Sequence, residues 1–297
     1  MRTLLTAGLA MLLASTALAE VTIETAQGSQ SLPEAPAKVA ALDLGVADTM
    51  MALGVTPAAV PEKLFLDHLQ PLGDVAAPVG TLQEPDLEKL AAIGPDLIVV
   101  ANRTAVKKDS VAQVAPAIDM TVDGATLIHD AKARLSALAT LFGKETEGEA
   151  LTLTLDDKLA GLSDAGRDKG NALVLLTNGP KMSAYGAGSR FGWIYEVTGM
   201  PQAGKPLDAK ANHGDAVSHE FIAQTNPDWL FVLDRGAAIG ADGPSAEATL
   251  DNELVRQTNA WKNGHVVYLP AGNVYLAPGG YTSLTETLDT LAAALAE

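Results

Sequence analysis

Cysteine is absent from all 297 residues. That excludes a disulfide framework, a zinc ribbon, an iron–sulfur cluster, a thiol nucleophile and a lipid-modified N-terminal Cys. Charge is sparse as well. Asp, Glu, Lys and Arg make up 19% of the chain and mean hydropathy is slightly positive, which excludes a disordered or solvating chain. Positive charge is the scarcer sign, with 20 Lys and Arg against 36 Asp and Glu for a formal net of −16. A nucleic-acid binder needs a basic footprint that this composition lacks. An anionic ligand must therefore be held by a few locally placed cations. The chain has no G-x-S-x-G elbow, P-loop, H-E-x-x-H or strand-borne G-x-G-x-x-G. Of its five His only His213 and His219 are near neighbours, and no third completes a three-histidine zinc set.

Long apolar runs are confined to the start. Arg2 supplies a positive n-region, Leu4 to Leu18 is rich in Leu and Ala, and Ala17-Leu18-Ala19 before Glu20 is a small-x-small cleavage site. The uncharged stretch from Thr3 to Ala19 is short for a bilayer span, and polar, acidic sequence follows at once. Residues 1–19 are expected to be a cleavable signal peptide. No later segment offers a second apolar run of spanning length. The mature product is expected to be soluble in a Gram-negative periplasm, and not a lipoprotein.

Short apolar runs then alternate with amphipathic ones. Val39–Leu42, Leu97–Val100 and Ile118–Val122 read as strands of a first half, and Ala172–Leu176, Trp229–Leu233 and Val266–Leu269 as strands of a second. Helical patterns lie between them, including Ala47–Leu53 and Ala131–Phe142, the latter ended by Gly143. From about Lys144, Leu151, Leu155, Leu159 and Leu162 form a stripe at helical spacing behind Glu145, Glu147 and Glu149. The reading is α/β: two lobes with largely parallel sheets, joined by one long helix. The boundaries are an N-terminal lobe over 20–143, a connecting helix over 144–168 and a C-terminal lobe over 169–297. Ser283-Leu284-Thr285-Glu286 predicts a capping box opening the last helix, with a stripe of Leu284, Leu288, Leu291 and Leu295.

An internal echo links the halves. Residues 88–103 (EKLAAIGPDLIVVANR) and 220–235 (EFIAQTNPDWLFVLDR) match without a gap at six of sixteen positions. Each reads as a helix, a Pro-Asp turn and a buried strand, with Arg103 or Arg235 just past the strand's carboxyl end. In open α/β sheets that end is where ligands sit. Lobes that face each other would bring one Arg from each to a shared cleft. Glu88 and Glu220 fall early in their helices, at comparable sites. Arg190, in Ser189-Arg190-Phe191-Gly192 after a Gly-rich turn, offers a third guanidinium near the possible strand Met182–Tyr185. His213 lies in a loop flanked by small residues, and Tyr275 in a loop between the last strand and the last helix.

These pieces together resemble the periplasmic siderophore-binding proteins of ABC importers, with two Rossmann-like lobes on one long helix (class III, or cluster A), and within them the enterobactin/catecholate type. The segments carrying the resemblance are PDLIVVANR, SAYGAGSRFG, NHGDAVSHEF, NPDWLFVLDR and VYLAPGGYTSL. It implies a monomeric, non-enzymatic capture subunit with no intrinsic cofactor. Its ligand is a ferric siderophore, and its partner is an inner-membrane permease with its ATPase. By the same resemblance Arg103, Arg190 and Arg235 bind the anionic iron–catecholate. His213 and Tyr275 complete iron coordination when the siderophore is tetradentate, with Tyr268 and Tyr281 as alternatives to Tyr275. Glu88 and Glu220 dock on the permease. Haem, cobalamin or a hydroxamate chelate on the same scaffold is the nearest alternative cargo. An exported two-lobed enzyme is the answer from a different class.

Overall fold

The computed structural model describes residues 20–33, 36–209 and 213–296, so the expected signal peptide lies outside the described residues. An antiparallel hairpin of β1 (Glu20–Thr25) and β2 (Gly28–Pro33) opens the described chain. The first lobe then follows as β3 (Val39–Ala41), α1 (Leu44–Ala52), β4 (Ala59–Val60), β5 (Ala77–Pro78), α2 (Leu87–Ile93), β6 (Leu97–Val100), α3 (Lys108–Val111), β7 (Ala117–Asp119) and α4 (Leu127–Leu141). Its five strands pair in parallel in the order β5-β4-β3-β6-β7. The central strands are buried along their whole length, as expected of parallel strands covered on both faces.

The long helix α5 (Glu145–Gly166) packs against α4 on one side and elements of the second lobe on the other. Leu155 and Leu162 of its predicted stripe are fully buried. The second lobe runs β8 (Ala172–Asn178), β9 (Lys181–Tyr185), α6 (Trp193–Thr198), β10 (Asp215–Val217), α7 (His219–Thr225), β11 (Trp229–Asp234), α8 (Arg235–Ile239), α9 (Ala246–Leu250), α10 (Asn259–Lys262), β12 (Val266–Tyr268), α11 (Ala271–Leu276) and α12 (Tyr281–Leu295). Its sheet order, β10-β9-β8-β11-β12, repeats the first lobe's pattern with one difference. β9 alone runs against the other four strands, because a short turn returns it directly beside β8. The expectation of largely parallel sheets thus holds in both lobes, with β9 as the reversed strand.

The echo has a structural cause. The Asp96 carboxylate accepts the Lys38 backbone N–H at 2.8 Å, and that of Asp228 accepts the Asn171 N–H at 3.0 Å. Lys38 and Asn171 each precede the strand paired with the one that follows the Pro-Asp turn. Each Asp therefore fixes the start of its lobe's two central strands.

Two local expectations are corrected. The last helix begins at Tyr281 with Gly280 as its cap residue, and Ser283 makes no capping hydrogen bond there. Its exposed N–H groups are met from another element. Asp48, on α1 and fully buried, accepts from Thr282 N at 2.9 Å and Ser283 N at 2.8 Å. A distant carboxylate outcompetes the local box because a full charge at a helix N-terminus is worth more than a neutral hydroxyl. Tyr275 sits on α11 and not in a loop.

Candidate functional site

The cleft lies between the carboxyl ends of the two sheets. β6 ends at Val100, and the chain turns through Asn102, which is held at φ 48°. The turn is pinned by Asn102 N–H donating to the Thr121 hydroxyl at 2.8 Å, and it presents Arg103. β11 ends in Asp234, whose carboxylate caps the turn into α8 by accepting from Ala237 N at 3.0 Å, so that Arg235 opens that helix at the strand end. Arg190 follows β9 through the Gly-rich turn. There the Ser189 hydroxyl donates to the Gly186 carbonyl at 2.6 Å. Opposite it, Gly124 of the first lobe approaches so closely that a Cβ there would sit 2.5 Å from the Arg190 Cα. Only glycine permits that contact between lobes.

All three arginines converge on Tyr275. Arg103 Nη2 donates to the Tyr275 carbonyl at 2.7 Å, and Arg190 Nη2 donates to the same oxygen at 3.1 Å. Arg235 Nε donates to the phenol oxygen at 3.0 Å while its Nη1 donates to Asn178 Oδ1, also at 3.0 Å. The guanidinium carbons stand 5.0, 4.7 and 5.7 Å from the Tyr275 ring centroid, within cation–π range. Among the described residues, none of the three forms an ion pair with a carboxylate. Each guanidinium carries five donors, so the contacts with Tyr275 leave N–H groups for a ligand.

The charges act on the phenol. Burial pushes the Tyr275 pKa up. The Arg235 hydrogen bond and the charges of Arg235, Arg190 and Arg103 outweigh burial, and the net direction is down. Burial and the repulsion of Arg103 press the Arg190 pKa down. Behind the site lies the buried Asp43 carboxyl. Burial raises its pKa against the pull of Arg134, its hydrogen bonds and Arg103.

Two cavities flank Tyr275. One, of about 280 Å³, is lined by Arg103 and Gly124 of the first lobe and by Arg190, Phe191 and Tyr275 of the second. The other, of about 300 Å³, shares Arg103 and Tyr275 and adds Arg235. His213 lines neither cavity; it is exposed in the turn leading into β10. The alternative tyrosines are elsewhere. Tyr268 is exposed on β12, and the Tyr281 hydroxyl donates to the Leu151 carbonyl of α5 at 3.2 Å. Glu88 and Glu220 are exposed in the first turns of α2 and α7. Each helix runs back against the strand that follows it, so both carboxylates lie at the ligand end of their lobes. Hydrogen bonding to Ser218 lowers the Glu220 pKa. Sequence reasoning passed over Asn178, which the strand-end rule applied to β8 would have found. Among the described residues no group of three or more His, Asp and Glu side chains is placed to hold a metal ion.

Comparison with known proteins agrees with this architecture. The family model described as "Periplasmic binding protein" matches residues 39–272. The petrobactin-binding protein YclQ of Bacillus subtilis is 36% identical over 261 residues, covering 86% of this chain and 82% of the relative. Its crystal structure superposes with a TM-score of 0.89, covering 94% of this chain and 99% of that one. The ferric-anguibactin-binding protein FatB of Vibrio anguillarum is 29% identical over 281 residues, covering 91% and 86%. The periplasmic catecholate-siderophore binding protein VctP of Vibrio cholerae superposes with a TM-score of 0.87 at 28% identity, covering 93% and 100%.

Proposed function

The chain belongs to the periplasmic binding protein family, and from that premise we propose that it captures a ferric catecholate-type siderophore and delivers it to an ABC permease. Relatives across this family bind substrates for transport and are not enzymes, and those named above bind ferric siderophores or siderophores as cargo. The observation that carries the catecholate reading is the convergence of Arg103, Arg190 and Arg235 on Tyr275, with no ion pair to a carboxylate among the described residues. A ferric catecholate is planar-armed and multiply anionic. Guanidinium forks match its oxygens and guanidinium faces match its rings. Ferric ion is hard and favours anionic oxygen, so a phenol biased toward its phenolate suits a vacant iron position left by a tetradentate chelate.

Capture then proceeds by exchange. The chelate enters between the lobes, its oxygens take up the donors that the arginines have to spare, and the repulsion among three clustered cations is relieved. The long helix α5 restricts how far the lobes move, because bending it disrupts its hydrogen bonds. The reading includes His213 as a second protein ligand to iron, on the sequence match alone. Titration by fluorescence quenching with ferric tetra- and hexadentate catecholates, a hydroxamate, haem and cobalamin tests the assignment. Tight binding confined to the catecholates is expected, and a preference for haem or cobalamin refutes it.

Two further outcomes are expected. The ferric tetradentate complex gives a phenolate-to-iron charge-transfer band that is lost in Tyr275→Phe; an unchanged spectrum removes Tyr275 from the coordination sphere. The Glu88→Ala, Glu220→Ala double variant binds the chelate normally yet fails to support uptake through the permease. Both carboxylates are exposed and line neither cavity, and normal transport by this variant rejects their docking role.

A further inference from the structure

Resting on the reading of the cleft as a ferric-chelate site, we propose that Lys63 and Phe65 form a second seat, which selects chelates carrying a free carboxylate outside their iron-binding arms. The seat is the cavity on the far side of Tyr275 from Arg190, where Lys63 and Phe65 of the first lobe face Arg235 and Ile239 of the second. Phe65 is held at φ 60°, a left-handed conformation that a bulky side chain rarely adopts. Its neighbours Leu64 and Leu66 are buried in the first lobe's core, so the backbone between them is fixed and the half-buried ring is turned to the cavity wall. Over that ring, 4.4 Å from its centroid, lies the Lys63 ammonium.

What sets Lys63 apart is its place in the cleft: it is unpaired among the described ion pairs and lines the cavity with its ammonium over an aromatic ring. It reaches across the cleft instead, and a Cβ placed on Gly240 at the end of α8 would be 3.5 Å from Nζ. Glu62 also lines the cavity and leaves its net charge positive when Lys63, Arg103 and Arg235 are counted with it. An ammonium resting on an aromatic face and opposed by a guanidinium fits a carboxylate on an apolar stem, with the charge between the cations and the stem along the ring. With the iron and its oxygens at the Tyr275 phenol among the three arginines, an appended carboxylate extends past Arg235 to Lys63.

The test uses two ferric bis-catecholates that differ only in a backbone carboxylate or its primary amide, titrated by fluorescence quenching into the wild type, Lys63→Met and Lys63→Arg. The wild type is expected to prefer the acid by about tenfold, the value of one charge-assisted hydrogen bond. Lys63→Met loses the preference while binding the amide as before, and Lys63→Arg retains most of it. Equal loss for both chelates in Lys63→Met, or a preference that survives there, overturns the seat. Wild-type binding of both chelates without preference overturns the seat alone. Binding of neither overturns the ferric-chelate reading and the seat with it.

Discussion

Truncating Arg190 to alanine is expected to weaken binding of a ferric bis-catecholate by about tenfold to a hundredfold, with Arg103→Ala and Arg235→Ala each costing about tenfold or more. A charge-assisted hydrogen bond in a desolvated site is worth about 1.5–3 kcal/mol, and about 1.4 kcal/mol is a factor of ten in affinity. Arg190 heads the series because it is the guanidinium whose pKa is pressed down by burial and by its neighbour Arg103. It is the one that gains most from an arriving anion. Arg235 is tethered at two nitrogens, to Tyr275 and Asn178, and has fewer donors to give. Arg190→Lys should fall between the wild type and alanine, since an ammonium keeps the charge and loses the planar fork. Titration of each variant, with its fold checked by circular dichroism, decides the matter. An Arg190→Ala protein within twofold of the wild type would show that the guanidinium serves only to hold Tyr275.

Much of the fold was written locally. The runs Leu97–Val100 and Trp229–Leu233 announce buried strands because parallel strands covered on both faces need unbroken apolar sequence. The Pro-Asp pairs of the echo mark a real stitch between central strands. Arg103 and Arg235 could be placed by the strand-end rule alone. What escaped reading depends on contacts between segments far apart in the chain. Nothing near Tyr275 says that its carbonyl will accept from arginines 172 and 85 residues away. The capping box at Ser283 was a sound local signal overruled by Asp48, 235 residues distant. The strain at Phe65 is invisible in sequence, because the backbone angle is imposed by its buried neighbours.

Replacing Asp48 with alanine is expected to cost about 3–5 kcal/mol of stability, the range for removing one partner of a buried charge pair. The carboxylate has several tasks. It accepts the N–H groups of Thr282 and Ser283, and it lies 3.3 Å from His68 Nε2. The ring's other nitrogen is 3.8 Å from Glu286 of α12, whose carboxylate also accepts from Asn273 at 2.7 Å. A Cβ at Gly280 would come within 2.4 Å of the Asp48 oxygen, so the helix entrance closes directly onto the carboxylate. Burial pushes the Asp48 pKa up from 3.8, and hydrogen bonds from His68 and Ser283 with the His68 charge bring it below. Burial pushes His68 down from 6.5, and Asp48, Glu286 and Asp67 bring it above. The signs then give a window. The His68 contribution is complete below 6.5 and is lost as pH rises through the raised folded value. The Asp48 contribution is complete above 3.8 and is lost as pH falls through the lowered one. The pair therefore stabilises most between those two ordinary values, and on the alkaline side it loosens as pH rises above 6.5. Urea midpoints across that range should fall for the wild type relative to His68→Gln as pH rises past 6.5, and the gap should vanish once the imidazole is neutral. A wild-type minus His68→Gln difference that stays flat, or an Asp48→Ala midpoint equal to the wild type's, would mean that the buried carboxylate is a passive cap and that α12 is held to the first lobe by apolar packing alone.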